Sequence, residues 1–509
     1  MKDERLEQID MQRHRIVNRF DIDATLFAAP EVPIEPSAID ELATMLEVQE
    51  TVDNMAKADS AMFDERPEVL QVAITPDFHK ARGIPVGTVM ATKGFSIPQA
   101  IGNDVNCGMR LHITSLSEDE LTSKLDSLES QFRRKYFEGG RDIPMTRSQR
   151  TALLTEGLEG LFNELPRSSD KDLWRVVHKH KMDQQLDHID RRGSLKAGVP
   201  TALDAWLGPA DRISRDSQIG SIGGGNHFVE IQRVERILDG TTAHLWGIKA
   251  GAIVVMVHSG SLALGHVSGG VARDAVRAAY PSSLNHPSNG IFILPDGPRH
   301  AALATKVQDS LRHAANFAFA NRMLLATMAI DCLEKECGEF KTQLLYDAPH
   351  NYWWQEKKDG ASVTIHRKGA CPARGYEHLA GSIFECTGEP VLVPGSMGAS
   401  SFILAGRGLE ESLKSASHGA GRVLARGEAM RGYEEEFKSF MERFRVVTPI
   451  DLRRVDVRSR KDILERKLDE IRQEAPYAYK GIGPVIETLT NAGMAKAVAE
   501  LVPLMTIKG

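Results

Sequence analysis

Five short segments of the chain set a side chain that can bind metal or attack phosphorus beside Gly, Ser or Asn. They are Asp104 and Cys107 in GNDVNCGM, Asn226 and His227 in GGGNHF, His258 in VMVHSGS, His350 in DAPHNY and His418 in SASHGAGR. Asp, Cys and His together form a donor set for one or two borderline divalent ions, because thiolate and imidazole suit Mn, Fe, Co or Zn better than Mg. The HExxH and CxxC spacings are absent. Around His418 the chemistry differs. Small residues there allow close approach by a ligand, and backbone amides with Arg422 and Arg426 a turn further on could cradle phosphate. An imidazole so placed can attack phosphorus and form a transient phosphoramidate, which splits one hard transfer into two easier ones.

Each residue taken alone also has a plainer reading. A His at a strand end serves as a hydrogen-bonded structural group, Cys107 as a small buried apolar side chain, and the glycines around His418 as a turn. The HKH at His178–His180 reads as a solvated helix face, and Cys332 and Cys337 as ordinary helix residues.

The elements that must position these groups are short apolar runs broken by Gly and Pro. Such runs fill Val72 to Thr114 and recur in AIVVMVHSGS, LLYDAPHNYWW, VTIHRKGACPA and EPVLVPGSMGASSF. They predict buried strands that deliver polar side chains at their ends. Residues 117–190 and 301–337 carry helical patterns, the second rich in Ala and Leu. Helices are also predicted for the first 70 or so residues, from the spacing of Ile39, Leu42, Met45 and Leu46, and for about 428–470. No repeat or linker divides the chain. The fold expected is therefore α+β, a single large interleaved domain over residues 1–509 with central β-sheets and helices around them.

Composition narrows the function classes. The 509 residues include 63 Lys+Arg against 69 Asp+Glu, a net charge of −6, which argues against non-specific coating of nucleic acid. No apolar run approaches the roughly 20 residues a bilayer demands, and the start MKDERLEQID lacks a signal-peptide core. Five cysteines at irregular spacing read as free thiols in a reducing compartment, so the expected location is cytoplasmic, with no membrane partner.

Taken together, the segments resemble one family. PDFHK with GIPVG, DVNCGMR, GGGNHFVE, HSGS, DAPHNYWW, HRKGA, PGSMG, SHGAGR, EAPYAYK and AELVPLMTIKG run in order from Pro76 to Lys508 and are similar to the motifs of the RtcB family of GTP- and manganese-dependent RNA-splicing ligases. The resemblance implies two Mn²⁺ per active site, held by Asp104, Cys107, His227, His258 and His350, with the Cys107 thiolate bridging. It makes His418 the residue that takes GMP from GTP. Asn226, Glu230, Ser396, Ser401, Ala420, Gly421, Tyr479 and Lys508 would surround the guanylate, an acidic acceptor such as Glu230 suiting the donor edge of guanine. Asp77 would help orient the attacking hydroxyl, while Arg422 and Arg426 would face RNA phosphate.

The implied activity joins RNA 3′-phosphate or 2′,3′-cyclic-phosphate ends to 5′-hydroxyl ends through a covalent histidine–GMP intermediate, in tRNA splicing or RNA repair. Any activating protein partner is left open. Three departures from the family pattern stand out: Leu262 replaces an Arg after HSGS, Cys371 a Thr after HRKGA, and Ala81 a Gly. Arg212, Arg215 and Arg273 are candidates to restore the charge missing at Leu262. That departure supports a second reading, a paralogue that guanylylates or caps nucleic-acid ends, or opens cyclic phosphates, without efficient sealing. A third is a non-catalytic subunit that binds RNA ends.

Overall fold

The computed structural model describes residues 3–166, 169–358 and 360–509. Two large sheets organise it. The first runs, in spatial order, Leu6–Gln8, Arg13–Ile16, Asp23–Phe27, Glu68–Arg82, Ile84–Lys93, Ala361–Lys368 and Asn351–Lys358. The second runs Thr342–Pro349, Gly108–Ser117, Ala252–Ser259, Phe228–Ile237, Ala495–Ile507, Ser401–Gly406 and Pro390–Val393. Strands distant in sequence alternate within both sheets, so the α+β architecture is interleaved as the sequence predicts.

The β-branched run of Ala252–Ser259 is the central reason for the second sheet. From Ile253 to Ser259 every residue is buried, and antiparallel neighbours flank it on both edges. Behind it lies the Ala301–Cys337 helix, which matches the predicted span. It is apolar nearly all round because the sheet covers one side and the helices Arg147–Asn163 and Leu262–Ala278 cover the others.

Antiparallel pairing explains how scattered motifs meet. Gly108 pairs with both Ser259 and Pro349, and Phe228 pairs with His258. Ile507 pairs with Val229. The starts of two strands and the ends of three therefore lie along one edge of the sheet. Asp104, Cys107, Asn226 and His227 immediately precede their strands, whereas the sequence pattern suggests strand ends; the reversal of direction brings both kinds of position to the same edge.

Two helical expectations need correction. Within the first 70 residues, Leu6–Gln8, Arg13–Ile16 and Asp23–Phe27 are strands, and the helices are Pro36–Leu46 and Val48–Ala58. The apolar spacing of Ile39, Leu42, Met45 and Leu46 belongs to the first of these helices alone. Of the short strands ahead of it, Asp23–Phe27 pairs with Glu68–Arg82, far along the chain, and the other two add on in turn, Arg13–Ile16 to Asp23–Phe27 and Leu6–Gln8 to Arg13–Ile16. Between 428 and 470 the helices Glu434–Arg443, Val455–Arg458 and Lys461–Arg472 are interrupted by the strand Arg445–Val447, which runs parallel to Ala495–Ile507. Among the described residues no helix is long and apolar enough to cross a membrane.

Candidate functional site

At the shared sheet edge, five donor side chains converge. Cys107 Sγ lies 3.2 Å from His227 Nε2 and 3.3 Å from His258 Nε2, and His258 Nε2 lies 3.3 Å from His350 Nε2. Asp104 Oδ2 is 2.9 Å from His227 Nε2. Donors bound to one ion at about 2.0–2.3 Å stand about 3.0–3.7 Å apart, so these separations suit shared coordination. The donors fall into two sets, Asp104 with Cys107 and His227, and Cys107 with His258 and His350, and Cys107 belongs to both.

Local chemistry fits a cation here. His258 Nδ1 donates to the Asn226 carbonyl at 3.1 Å, which fixes the tautomer and leaves Nε2 bare. Burial pushes His258 and His350 well below the usual imidazole range, so both rings are neutral, the form that can bind a cation. The Nδ1 atoms of His227 and His350 are buried without a hydrogen-bond partner, so ordinary structural hydrogen bonding does not account for these rings. Burial and the adjacent Asp104 push the Cys107 thiol up; a cation would reverse that by favouring thiolate.

His418 stands beside this cluster, its ring centroid 4.6 Å from that of His350. It follows the strand Ser415–Ser417, which pairs with Ala370–Pro372. Asp77, wholly buried, faces it. The Asp77 Oδ2 atom accepts from His418 Nδ1 at 2.5 Å and from the His418 backbone N–H at 3.1 Å. Thr75 donates to the other oxygen at 2.5 Å. Burial alone would raise the Asp77 carboxyl, but His418 and Thr75 hold it below its ordinary value. With the proton on Nδ1, His418 Nε2 keeps its lone pair.

The loop after His418 is clamped to the same segment. Gly421 has φ 75°, and a Cβ there would collide with the Asp77 carbonyl, so only glycine allows this approach. Lys480 ties the two further, its Nζ donating to the carbonyls of Pro76 at 3.1 Å and Phe78 at 2.7 Å.

A pocket of about 270 Å³ opens over these groups. Of the residues singled out from sequence, all line it except Asp77, which supports His418 from behind, and Ser401, which lies behind Glu230. Glu230 is buried on the Phe228–Ile237 strand, where Gln232 donates to it at 2.5 Å and Thr506, its cross-strand partner, donates to its other oxygen. Burial pushes its carboxyl up to about 7. Gln232 also donates to Ser401 Oγ at 3.0 Å. Lys508 is held by its N–H on Val447 O at 2.8 Å and by Nζ on the Gly225 and His227 carbonyls, and burial lowers it to about 8.

Arg422 and Arg426 are already engaged. Both pair with the buried Glu474, at 3.0 and 3.1 Å, and Arg422 also covers the ring of Tyr479, whose hydroxyl donates to Glu474. Burial would raise Glu474, but Lys508 and Arg422 hold it below its ordinary value.

A model of the family described as tRNA-splicing ligase RtcB matches residues 61–509. The chain belongs to the RtcB family. It is 29% identical to a tRNA-splicing ligase RtcB of Thermococcus kodakarensis over 94% of this chain and 95% of the relative. Against its counterpart in Pyrobaculum aerophilum the identity is 32%, over 86% of this chain and 87% of the other. An RNA-splicing ligase RtcB of Mycobacterium tuberculosis is likewise 32% identical, over 85% of this chain and 96% of its own.

Several groups in this RtcB chain are not evident from sequence. Glu474 opens the EAPYAYK motif, yet nothing in the motif marks it as the partner of two arginines. Gln232 lies two residues after Glu230 on one strand, a spacing that puts both on one face and is a usable signal. Beneath the metal donors, Arg322 of the long helix is fully buried; it donates to Asp347 at 2.8 Å and to the Asn106 and Ser259 carbonyls at 2.6 and 3.2 Å, which fixes the turns bearing Cys107 and His258. Two departures from the RtcB pattern are benign in place. Cys371 is buried opposite Ala416, and Ala81 is held through its backbone N–H, which donates to Glu41 at 2.7 Å.

Proposed function

We propose that this protein is an RNA ligase that joins 3′-phosphate or 2′,3′-cyclic-phosphate ends to 5′-hydroxyl ends, using GTP and two Mn²⁺ ions. The observation that carries the reading is the Asp77–His418 pair beside the five-donor cluster: one nitrogen of a buried imidazole is pinned by a carboxylate and the other is left nucleophilic. When bound by Asp104, Cys107, His227, His258 and His350, metal supplies electrostatic stabilisation of charge developing on phosphoryl oxygens.

In the first step His418 Nε2 attacks the α-phosphorus of GTP. A nitrogen–phosphorus bond forms, the bond to the β-phosphate oxygen breaks, and pyrophosphate leaves. Asp77 keeps the His418 proton on Nδ1 and stabilises the positive charge the ring gains. Where the RNA end is a 2′,3′-cyclic phosphate, water first adds to its phosphorus and the bond to the 2′-oxygen breaks, leaving a 2′-hydroxyl and a 3′-phosphate; a 3′-phosphate oxygen then attacks the guanylate phosphorus and frees His418. In the last step the 5′-hydroxyl oxygen of the second RNA attacks the activated 3′-phosphate and expels GMP. Asp77 therefore serves His418 in this account, rather than the attacking hydroxyl.

Glu230 reads the donor edge of guanine, which favours GTP over ATP, and its hold on Thr506 and Gln232 keeps it aimed. Asn226, Ser396, Ala420, Gly421, Tyr479 and Lys508 surround the remaining guanylate. Arg422 and Arg426 can contact RNA phosphate only by sharing or leaving Glu474. A cytoplasmic location fits free thiols, one of which is a metal ligand.

The test offers the protein a labelled RNA ending in 2′,3′-cyclic phosphate, a 5′-hydroxyl RNA, GTP and Mn²⁺. The expected product is the joined strand, dependent on all four. A GMP-capped 3′ end that never proceeds to joined RNA would favour the capping reading raised by Leu262, and no change to either RNA would leave end binding alone.

A further inference from the structure

A groove of about 1220 Å³ adjoins the pocket and shares His79, Gly102, Asn103 and Lys368 with it. Its walls carry Lys80, Arg82 and Arg273, against the carboxylates of Glu35 and Glu428. Among the described residues these three cations have no ion-pair partner and make no side-chain hydrogen bond, unlike Arg422 and Arg426 at the same mouth, which Glu474 occupies. Lys80 and Arg82 are exposed at the irregular end of one strand, and both line the groove.

Arg273 is placed differently. It is half-buried on the Leu262–Ala278 helix, whose first residue, Leu262, offers no charge and gives only its N–H to Asp104 at 3.3 Å. Its guanidinium folds back over Gly269: a Cβ on that glycine would lie 3.0 Å from Arg273 Nη1 and 3.6 Å from Val105 Cγ2. The guanidinium therefore lies back along its own helix, on the same Gly269 face that Val105 of the Asp104–Cys107 turn packs against. The other two arginines that the sequence offers as substitutes do not reach this place: Arg215 is committed to Asp142 at 2.6 Å, and Arg212 is an exposed residue that lines neither the pocket nor the groove. On the same helix Arg277 is committed to the ring of Phe292. The adjacent, exposed Asp274 offsets part of the cost of burying this guanidinium, and an anion in the groove would offset more.

We propose that this groove is the bed of a single-stranded RNA end entering the pocket, and that Arg273 is a positioning residue that holds one of its phosphates. The inference rests on the ligase reading and adds to it where the strand lies and which cation registers it. Lys80 and Arg82 then track the phosphates further from the reacting end.

The experiment measures binding of a dye-labelled, single-stranded RNA with a 3′-phosphate to the full chain in Mn²⁺, across a series of salt concentrations. Removing one cation that neutralises a phosphate of a single strand lowers the slope of log K against log salt by about 0.7. Arg273→Ala is expected to lower it by about that amount and to weaken binding roughly three- to tenfold near 0.1 M salt. Arg273→Lys should restore the slope. The double variant Lys80→Ala with Arg82→Ala should lower it by about 1.4. Arg299→Ala, which removes an exposed arginine paired with Asp59 and outside the groove, is the control. An unchanged slope for Arg273→Ala, or an equal drop for Arg299→Ala, overturns the inference, while the ligase reading stands or falls separately on joined RNA. Absence of RNA binding by the unaltered protein overturns the inference as well.

Discussion

The two halves of the pocket are built on opposite principles. Around Cys107 a thiol and three imidazole Nε2 atoms crowd to within 3.2–3.3 Å of a neighbour, a donor set that a shared cation would hold, so this half is incomplete as protein alone. Around Glu230 and Glu474 the charges have neighbours already: Thr506 and Gln232 on one, Arg422, Arg426 and Tyr479 on the other. The first half gains by adding an ion. The second must exchange partners when a ligand arrives, and can do so only by small margins. Metal should therefore dominate stability, and nucleotide recognition should be tunable by pH and by single hydrogen bonds.

The largest effect should come from breaking the support under the metal half. Asp347→Ala leaves Arg110 and Arg322 buried without their shared carboxylate, so chemical denaturation should show a loss of about 3–5 kcal/mol. Next, Mn²⁺ at about a hundred times its dissociation constant should stabilise the protein by about 2.7 kcal/mol, seen as a raised melting temperature. Cys107→Ala, which removes the donor common to both sets, should abolish that rise.

In the other half, GTP affinity should depend on pH through Glu230. In the proposed site the ionised carboxylate would accept from guanine, and its pKa is pushed up to about 7, so binding should be full above that value and fall about tenfold by pH 6. Glu230→Gln should bind weakly and show no such fall in calorimetry. For stability the sign is opposite: a folded value above the ordinary carboxyl value of 4.5 makes Glu230's contribution full below 4.5 and lost as pH rises through about 7. The smallest effect is expected for Arg426→Ala. Its side chain is 56% exposed and Arg422 still serves Glu474, so the cost should stay below about 1 kcal/mol.

The same contrast explains what is legible in the sequence. Asp104, Cys107, His227, His258, His350 and His418 are chemically rare side chains beside small residues, so they stand out as candidates, although each alone has a plainer reading and only the recurring pattern and the ordered motifs give them roles. The long Ala301–Cys337 helix and the Ala252–Ser259 strand are legible from period and β-branching. Roles that arise only from pairing are not. Asp77 reads as a group for the attacking hydroxyl until it is seen on His418 Nδ1, and Arg422 and Arg426 read as free phosphate ligands until Glu474 is seen between them. The strands before residue 28 escape notice for the same reason, since Glu68–Arg82, which anchors the set through Asp23–Phe27, lies far along the chain and the strands are too short to show alternation.

The central claim is that His418, primed by Asp77 and set beside the metal donors, accepts GMP. Incubation with α-labelled GTP and Mn²⁺, followed by mass analysis of the intact chain and its peptides, tests it most directly. The account predicts one acid-labile GMP on the peptide containing His418, absent from His418→Ala and much slower to form in Asp77→Ala. Label that persists in His418→Ala, or no label on the unaltered protein with metal bound, would contradict it.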